Sequence, residues 1–333
     1  MTKILVTGGA GFIGAYLCSR LQALGHYVVV LDALRPYAWP DEPEYARERS
    51  LRSALILGAQ FEEIDLLDPK AVEACLIRHA PEVVVHLAAN AILSSAERDP
   101  ARCQADIVSS TANLLDAMRR TGIASRLVHT SSSMVYGNFA SDRVGEDQLV
   151  APINAYGRMK AVAEQMSREQ AAAAGFEITV VRPIAVYGPG DFCRRVITRF
   201  CAQALAGEML ILNESPDQLM DFTFVEDEAD GIARAALRPE AAGQTFNIAR
   251  GEARSLLDVI TALMRHVPEL RYQVTRSPDV NRPKRGALDI SKACGLLGYK
   301  PRVGLEEGVE RCLAFLKGTA LVPLYEPEME AAE

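Results

Sequence analysis

The chain has 333 residues, with 36 Lys and Arg against 43 Asp and Glu for a formal charge of -7, which is long enough for two lobes around a sizeable core. Its basic residues are scattered rather than clustered, which argues against a nucleic-acid partner. No apolar run reaches membrane-spanning length and no signal-peptide pattern precedes the first strand, so the expected setting is the cytoplasm, with no membrane partner.

The apolar run Ile4-Leu5-Val6 leads straight into Thr7-Gly8-Gly9-Ala10-Gly11-Phe12-Ile13-Gly14, which predicts a first strand turning tightly into a helix. Gly8, Gly11 and Gly14 are spaced G-x-x-G-x-x-G. Glycine lets the backbone take the turn and approach a dinucleotide's phosphates, while the helix start at Phe12 and Ile13 faces the anion. A glycine pattern alone is weak, since an ordinary strand-to-helix turn also uses one. The second strand, Tyr27 to Leu31, ends on Asp32, about 20 residues beyond the glycines, where a carboxylate can accept hydrogen bonds from the adenosine ribose. That favours NAD over NADP, although Arg35 lies near enough to keep NADP open, and Asp32 also reads as a strand-end cap.

Further strands are expected at Val83 to His86, Leu127 to His129 and Ile178 to Val181, with long helices at Ala101 to Thr121 and Ala155 to Ala174. Alternation of this kind predicts an α/β fold, a doubly wound parallel sheet with helices on both faces. The seven cysteines, Cys18, Cys75, Cys103, Cys193, Cys201, Cys294 and Cys312, include no C-x-x-C pair, so they read as thiols rather than as disulfides or a metal site, and no metal is expected.

A second constellation follows the second of these runs. Thr130-Ser131-Ser132-Ser133-Met134-Val135-Tyr136-Gly137 precedes Tyr156-Gly157-Arg158-Met159-Lys160. Tyr156 and Lys160 are four apart and share a helix face, so the ammonium can stabilise the phenolate. A tyrosine so activated can exchange a proton with a substrate hydroxyl while hydride moves to or from a nicotinamide. Ser132 would hydrogen-bond the same oxygen. A bare Y-x-x-x-K also marks many exposed helix faces; the order of glycine turn, serine and tyrosine is what lends it weight.

Taken together, these motifs resemble the extended short-chain dehydrogenases/reductases, in the NAD-dependent nucleotide-sugar epimerase/dehydratase family, over nearly the whole chain. The pattern is nearest to UDP-glucuronate and UDP-glucose 4-epimerases. The resemblance implies a Rossmann domain over 1–183, to which 222–252 return, a smaller C-terminal substrate lobe from 184–221 and 253–320, and an acidic tail at 321–333. It implies catalysis by Ser132, Tyr156 and Lys160. Cofactor contacts would come from the glycine turn, Asp32, Asp65-Leu66, Leu87-Ala88-Ala89, Tyr156, Lys160 and Pro183. Asp65 and His86 could equally be structural. Arg182-Pro183, Tyr187-Gly188-Pro189-Gly190, the run Asp221 to Asp227, Phe246-Asn247-Ile248 and the run Leu288 to Ala293 with Leu297-Gly298-Tyr299 resemble later family segments. The long-helix pair is expected at a homodimer interface.

Departures from the family pattern bear on the reaction. The 4,6-dehydratases resemble S-T-D-E-V-Y-G, and the related decarboxylases keep a glutamate, where this chain has Ser133 and Met134; elimination and decarboxylation are therefore disfavoured. Reversible hydride transfer remains, as in a 4-epimerase, or with net turnover of NAD(P) in a keto-sugar reductase or sugar dehydrogenase. The long segment after Asp32, with Trp39 and Tyr45, resembles the insertion of uronate enzymes. Ala185 replaces an expected Asn or Thr, Met220 an Arg, and Ile107 an Asn. The first two losses remove polar contacts expected at the substrate or its diphosphate, of which a charge-assisted one is worth about 1.5–3 kcal/mol, so the nucleotide sugar needs another grip; Ile107 bears on the solvent or proton relay. Ser133, Arg194, Arg276 and Asp279 are the candidate substrate ligands, with Arg195 beside Arg194; each arginine also reads as solvated surface.

Overall fold

In the computed structural model, the described residues are 1–37, 39–193, 195–212, 218–275 and 283–318, with the backbone alone at 93–95. The expected tail at 321–333 and the candidates Arg194, Arg276 and Asp279 lie outside them.

Seven strands build one parallel sheet: β1 (Lys3–Thr7), β2 (Tyr27–Asp32), β3 (Gln60–Glu63), β4 (Val83–His86), β5 (Arg126–Thr130), β6 (Glu177–Pro183) and β7 (Thr245–Ile248). Their order is β7-β6-β5-β4-β1-β2-β3. Runs such as Ile4-Leu5-Val6 and Val83-Val84-Val85 are buried because helices cover both faces, which is why they are uniformly apolar instead of alternating. One strand had no such signature. β3 reads Gln-Phe-Glu-Glu, and it sits at the sheet edge, where Glu62 pairs with His79 at 2.6 Å and Arg78 at 2.7 Å; charge on an edge strand discourages pairing with another chain.

The six longer helices that matter to the site are α1 (Phe12–Ala23), α2 (Ala46–Leu55), α3 (Pro69–His79), α4 (Ser110–Thr121), α5 (Ala155–Ala174) and α6 (Val225–Leu237). Leu17 of α1 and Ile232 of α6 join the core on one face of the sheet, while Val72 of α3 and Leu114 of α4 join it on the other. Both Leu17 and Leu114 are wholly buried, so truncating either to Ala should cost about 2–5 kcal/mol. The start of α5 is set by Asn154, whose side chain accepts from the Gly157 amide at 2.8 Å, and its end by Gly175 at φ 77. That is the helix the sequence predicts.

The helix expected at Ala101 to Thr121 is instead interrupted. Pro100–Gln104 is α-helical, Ala105–Ser109 forms a π turn, and α4 follows. The hydroxyls of Ser110 and Thr111 donate to the carbonyls of Asp106 (2.8 Å) and Ile107 (2.5 Å), satisfying groups that the wider turn releases. Such turns cluster at functional sites, and Asp106 lines the cleft described below.

Beyond the sheet, Leu219–Asp221 pairs antiparallel with Ala253–Ser255, and Leu210–Leu212 runs parallel to Tyr272–Val274. Asp221 joins three segments, because one carboxylate oxygen accepts from the amides of Gly251 and Leu288, each at 3.0 Å. Among the described residues no helix is long and apolar enough to cross a membrane.

Candidate active site

β1 has β2 on one side and β4 on the other, so the strand order reverses there and a crevice opens beyond the carboxyl ends of the strands. The glycine turn fills that place. Gly8 has φ 69, and a Cβ on it would lie 2.8 Å from the Ala88 backbone; on Gly14 it would lie 2.1 Å from the Gly8 carbonyl. Only glycine allows both this turn and the close approach of β1, α1 and the segment after β4. Gly11 caps α1 without any side-chain acceptor, so the first amides of a twelve-residue helix face the crevice with no partner among the described residues, as an anion site requires.

A cleft of about 1050 Å³, solvent at its mouth included, runs from this turn past Asp32, Asp65, Leu66, Leu87, Ala88 and Ala89. Asp32 accepts from Ala10 (3.0 Å) and Leu34 (2.9 Å) amides, which fixes its carboxylate at the rim; burial raises its pKa against the pull of these bonds. Arg35 is bound to Asp65. The cation that kept a 2′-phosphate open is thus held by a carboxylate, and Asp32 faces the cleft as the NAD reading expects. Asp65 also accepts from the Leu67 amide at 3.0 Å, and Asn113 donates to the Leu66 carbonyl at 2.9 Å, so this wall of the pocket is tied down. His86 is placed elsewhere: it bridges Thr7 (2.7 Å) and Thr111 (2.9 Å) while fully buried, and burial holds it neutral. Pro183 ends β6, half-buried opposite Ile248.

The serine loop and α5 meet at the other end. Gly157 permits this, since a Cβ there would lie 2.6 Å from the Met134 carbonyl. Ser132 accepts from the Met134 amide at 3.2 Å, capping the turn Ser133–Tyr136, and lies near enough to the Tyr156 phenol to favour its ionised form. Tyr156 is 8% exposed. Burial pushes its pKa up to about 12, opposed by the Arg195 guanidinium and then by Ser132. Lys160 is buried too and donates to the Thr130 carbonyl at 2.8 Å; burial brings its pKa down to about 8. The expected lysine–tyrosine coupling is therefore not the dominant effect in this geometry, where the charge acting on the phenol is that of Arg195. Cys103 and Ile107 pack with Tyr156 in one apolar cluster, so Ile107 supplies packing where an Asn was expected.

Several residues that sequence reasoning left aside shape the cleft. Asp191, wholly buried, binds Arg195 through its guanidinium (2.6 Å) and its amide (2.9 Å). Arg52 donates to the Gly190 carbonyl at 2.9 and 2.7 Å and stacks 3.7 Å from the Phe192 ring centroid. Trp39 and Tyr45 meet the same ring edge-on at 6.0 and 5.8 Å. The insertion after Asp32 thus clamps the loop carrying Asp191 and Arg195 over the crevice; Trp39 is a packing residue. Only the density of aromatic residues in the insertion could have hinted at this. Ser133 is buried. Ala185 holds φ 39, a left-handed conformation costing about 1–3 kcal/mol in a residue with a Cβ, and Met220 packs against the core. Outside the cleft, Glu62, Cys75 and His79 bring potential ligand atoms within 4.8 Å of one another, but the Glu62 oxygens are already taken by Arg78 and His79.

Residues 4–249 match the model of the NAD dependent epimerase/dehydratase family. The chain belongs to that family. It is 31% identical over 320 residues, 95% of this chain and 98% of the relative, to a UDP-glucose 4-epimerase of Mycolicibacterium smegmatis. It is 30% identical over 348 residues, 92% and 93% of the two chains, to a dTDP-L-rhamnose 4-epimerase of Burkholderia thailandensis. A crystal structure of the UDP-glucuronic acid 4-epimerase of Bacillus cereus with UDP-glucuronic acid and NAD superposes with a TM-score of 0.84 at 29% identity, covering 95% of this chain and 99% of that one. The fold is the Rossmann-like fold of these short-chain dehydrogenase/reductase enzymes, and NAD is the cofactor of the family. The uncapped α1 amides, the glycine cradle and Asp32 are groups that fit it.

Proposed function

We propose that the protein epimerises a nucleotide sugar at C4 through a transient 4-keto sugar, with a UDP-uronate as the favoured substrate and Ser132, Tyr156 and Lys160 as its catalytic residues. One observation carries this reading. Among the described residues the groups acting on the Tyr156 phenol are Arg195, Ser132 and the Cys103 thiol, with no carboxylate, which supports Tyr156 as the single acid/base. Elimination and decarboxylation use a second proton-transfer group, whereas moving one proton on and off a hydroxyl does not.

In this mechanism Tyr156 takes the C4 hydroxyl proton and later returns it, and Ser132 orients the same oxygen. NAD, when bound, supplies the acceptor and donor of the C4 hydride. Arg195, held by Asp191, lowers the cost of the phenolate, while Lys160 contributes a cation anchored to Thr130 one helical turn from Tyr156 and a donor for the cofactor ribose. The cradle, Asp32, the Asp65-Leu66 wall, Leu87 to Ala89 and Pro183 would hold the cofactor. Ser133, Arg194, Arg276 and Asp279 are the proposed substrate ligands. The lobes proposed are 1–183 with 222–252, and 184–221 with 253–320. Packing of α4 on α5, with Val162 of α5 53% exposed, supports a homodimer through these helices.

Ala185 and Met220, which offer no polar contact at two expected substrate positions, favour a second reading, net oxidation or reduction of a different sugar. Incubation with catalytic NAD and a nucleotide-sugar panel led by UDP-glucuronate, followed by proton NMR and NADH absorbance, separates the two. A new isomer without accumulating NADH is expected; stoichiometric NADH with an oxidised product would replace the epimerase reading by a dehydrogenase.

A further inference from the structure

Arg285 belongs to none of the motifs above. It immediately precedes Gly286 and the short strand Ala287–Leu288, which pairs with Arg143–Val144. A Cβ on Gly286 would lie 2.2 Å from the Asp142 carbonyl, so the backbone is pressed against that segment while the Arg285 side chain crosses to the serine loop. There one guanidinium nitrogen donates to the Ser133 carbonyl at 3.1 Å, another lies against the Met134 sulfur, and the plane sits 5.0 Å from the Phe139 ring centroid.

Arg285 is only 6% exposed. Among the described residues no carboxylate pairs with it, and burial, the sole influence on it, lowers its pKa to about 10. It is therefore a buried cation at neutral pH. A guanidinium offers five N–H donors; one carbonyl and a weakly accepting thioether leave most of them for something else. Burying a charge without a counter-charge is destabilising, so a protein that keeps one beside its reacting groups gains by meeting an anion there. The neighbourhood is the reacting one. Ser132, which acts on the Tyr156 phenol, caps the turn that Ser133 and Met134 begin, and Met134 packs on the cluster that contains Tyr156.

Met134 completes the argument. The glutamate that related dehydratases and decarboxylases resemble at this position would neutralise Arg285 from within the protein, and a thioether cannot. We propose that Arg285 is a specificity residue that pairs with a carboxylate borne by the sugar of the substrate, selecting a uronate over a neutral hexose. A carboxylate matches the planar fork of a guanidinium. This inference rests on the reading of the chain as a nucleotide-sugar enzyme, and it gives that reading a charge requirement.

The test uses full-length Tyr156→Phe protein loaded with NAD, so that nothing turns over, with calorimetric titration of UDP-glucuronate, UDP-glucose and UDP. Adding Arg285→Gln should weaken UDP-glucuronate roughly 10- to 100-fold, the range of a hydrogen bond to a charged group, and UDP-glucose and UDP less than about threefold. Met134→Glu, which supplies an internal partner while keeping Arg285, should reproduce the selective loss, and Arg285→Lys should recover part of it. Unchanged circular dichroism and NAD affinity establish that each variant is folded. Equal loss for all three ligands would assign Arg285 to the diphosphate and overturn the proposal, as would UDP-glucuronate binding that ignores Arg285→Gln. If the parent protein bound none of the three, the nucleotide-sugar reading itself would fall.

Discussion

Replacing Glu228 by Gln should make the stability of this protein less dependent on pH. Glu228 lies on α6, is wholly buried, and neither of its oxygens has a hydrogen-bond partner among the described residues. Burial first, then the charges of Asp221 and Asp227, hold its pKa well above the ordinary 4.5. The native state thus keeps a proton on Glu228 at neutral pH, whereas the unfolded chain loses it above about pH 4.5. Folding takes up that proton, so the contribution is fully present below the unfolded pKa and declines as pH rises, by about 1.4 kcal/mol per pH unit for one group. From about pH 5 to about pH 7 the decline amounts to about 3 kcal/mol. Asp221, raised to about 7 by burial, adds a slope of the same sign up to its own titration. Glutamine has the shape of the protonated acid and no proton to lose. Urea unfolding midpoints, read by circular dichroism at several pH values, should coincide near about pH 5 and separate toward about pH 7, with the variant the more stable by up to about 3 kcal/mol. Midpoints of the two proteins falling in parallel over that range would refute the assignment of a buried proton to Glu228.

Tyr156→Phe should lower turnover about 10²- to 10⁴-fold while leaving NAD affinity near normal, measured by epimerisation rate and by cofactor titration; a near-normal rate would remove the mechanism. Gly14→Ala places a Cβ 2.1 Å from the Gly8 carbonyl, a strain of about 1–3 kcal/mol, and should depress NAD affinity together with the melting temperature. Arg182→Met leaves Glu164, its partner at 2.6 Å with both side chains buried, without its counter-charge in the interior. That should cost about 3–5 kcal/mol in urea unfolding, and a loss under about 1 kcal/mol would show that Arg168 alone can satisfy the carboxylate.

Much of this was legible because it depends on local chemistry. The strands β1, β2, β4, β5 and β6 announce themselves as β-branched runs since helices bury both of their faces, and Gly8, Gly11 and Gly14 announce the turn because no other residue fits there. β3 was silent, because an edge strand in contact with water needs no apolar run. The π turn at Ala105–Ser109 was silent as well, since a break in helix pitch leaves the apolar spacing of its flanks almost unchanged.

The sequence by itself determined the α/β class and the place of the dinucleotide turn, and it singled out the serine, tyrosine and lysine proposed as catalytic, since each follows from residue type at short spacing. Only the tertiary structure decided which charges act on them. Arg195 reaches Tyr156 because Asp191 anchors it and because Arg52, Trp39 and Tyr45, far away in sequence, hold Phe192 in place. Arg285 lies 151 positions from Met134, and Glu228 holds its proton because the fold buries it beside the charges of Asp221 and Asp227. Electrostatic energy depends on distance and burial, and neither can be read along a chain; a fold must first bring the charges together and remove the water between them.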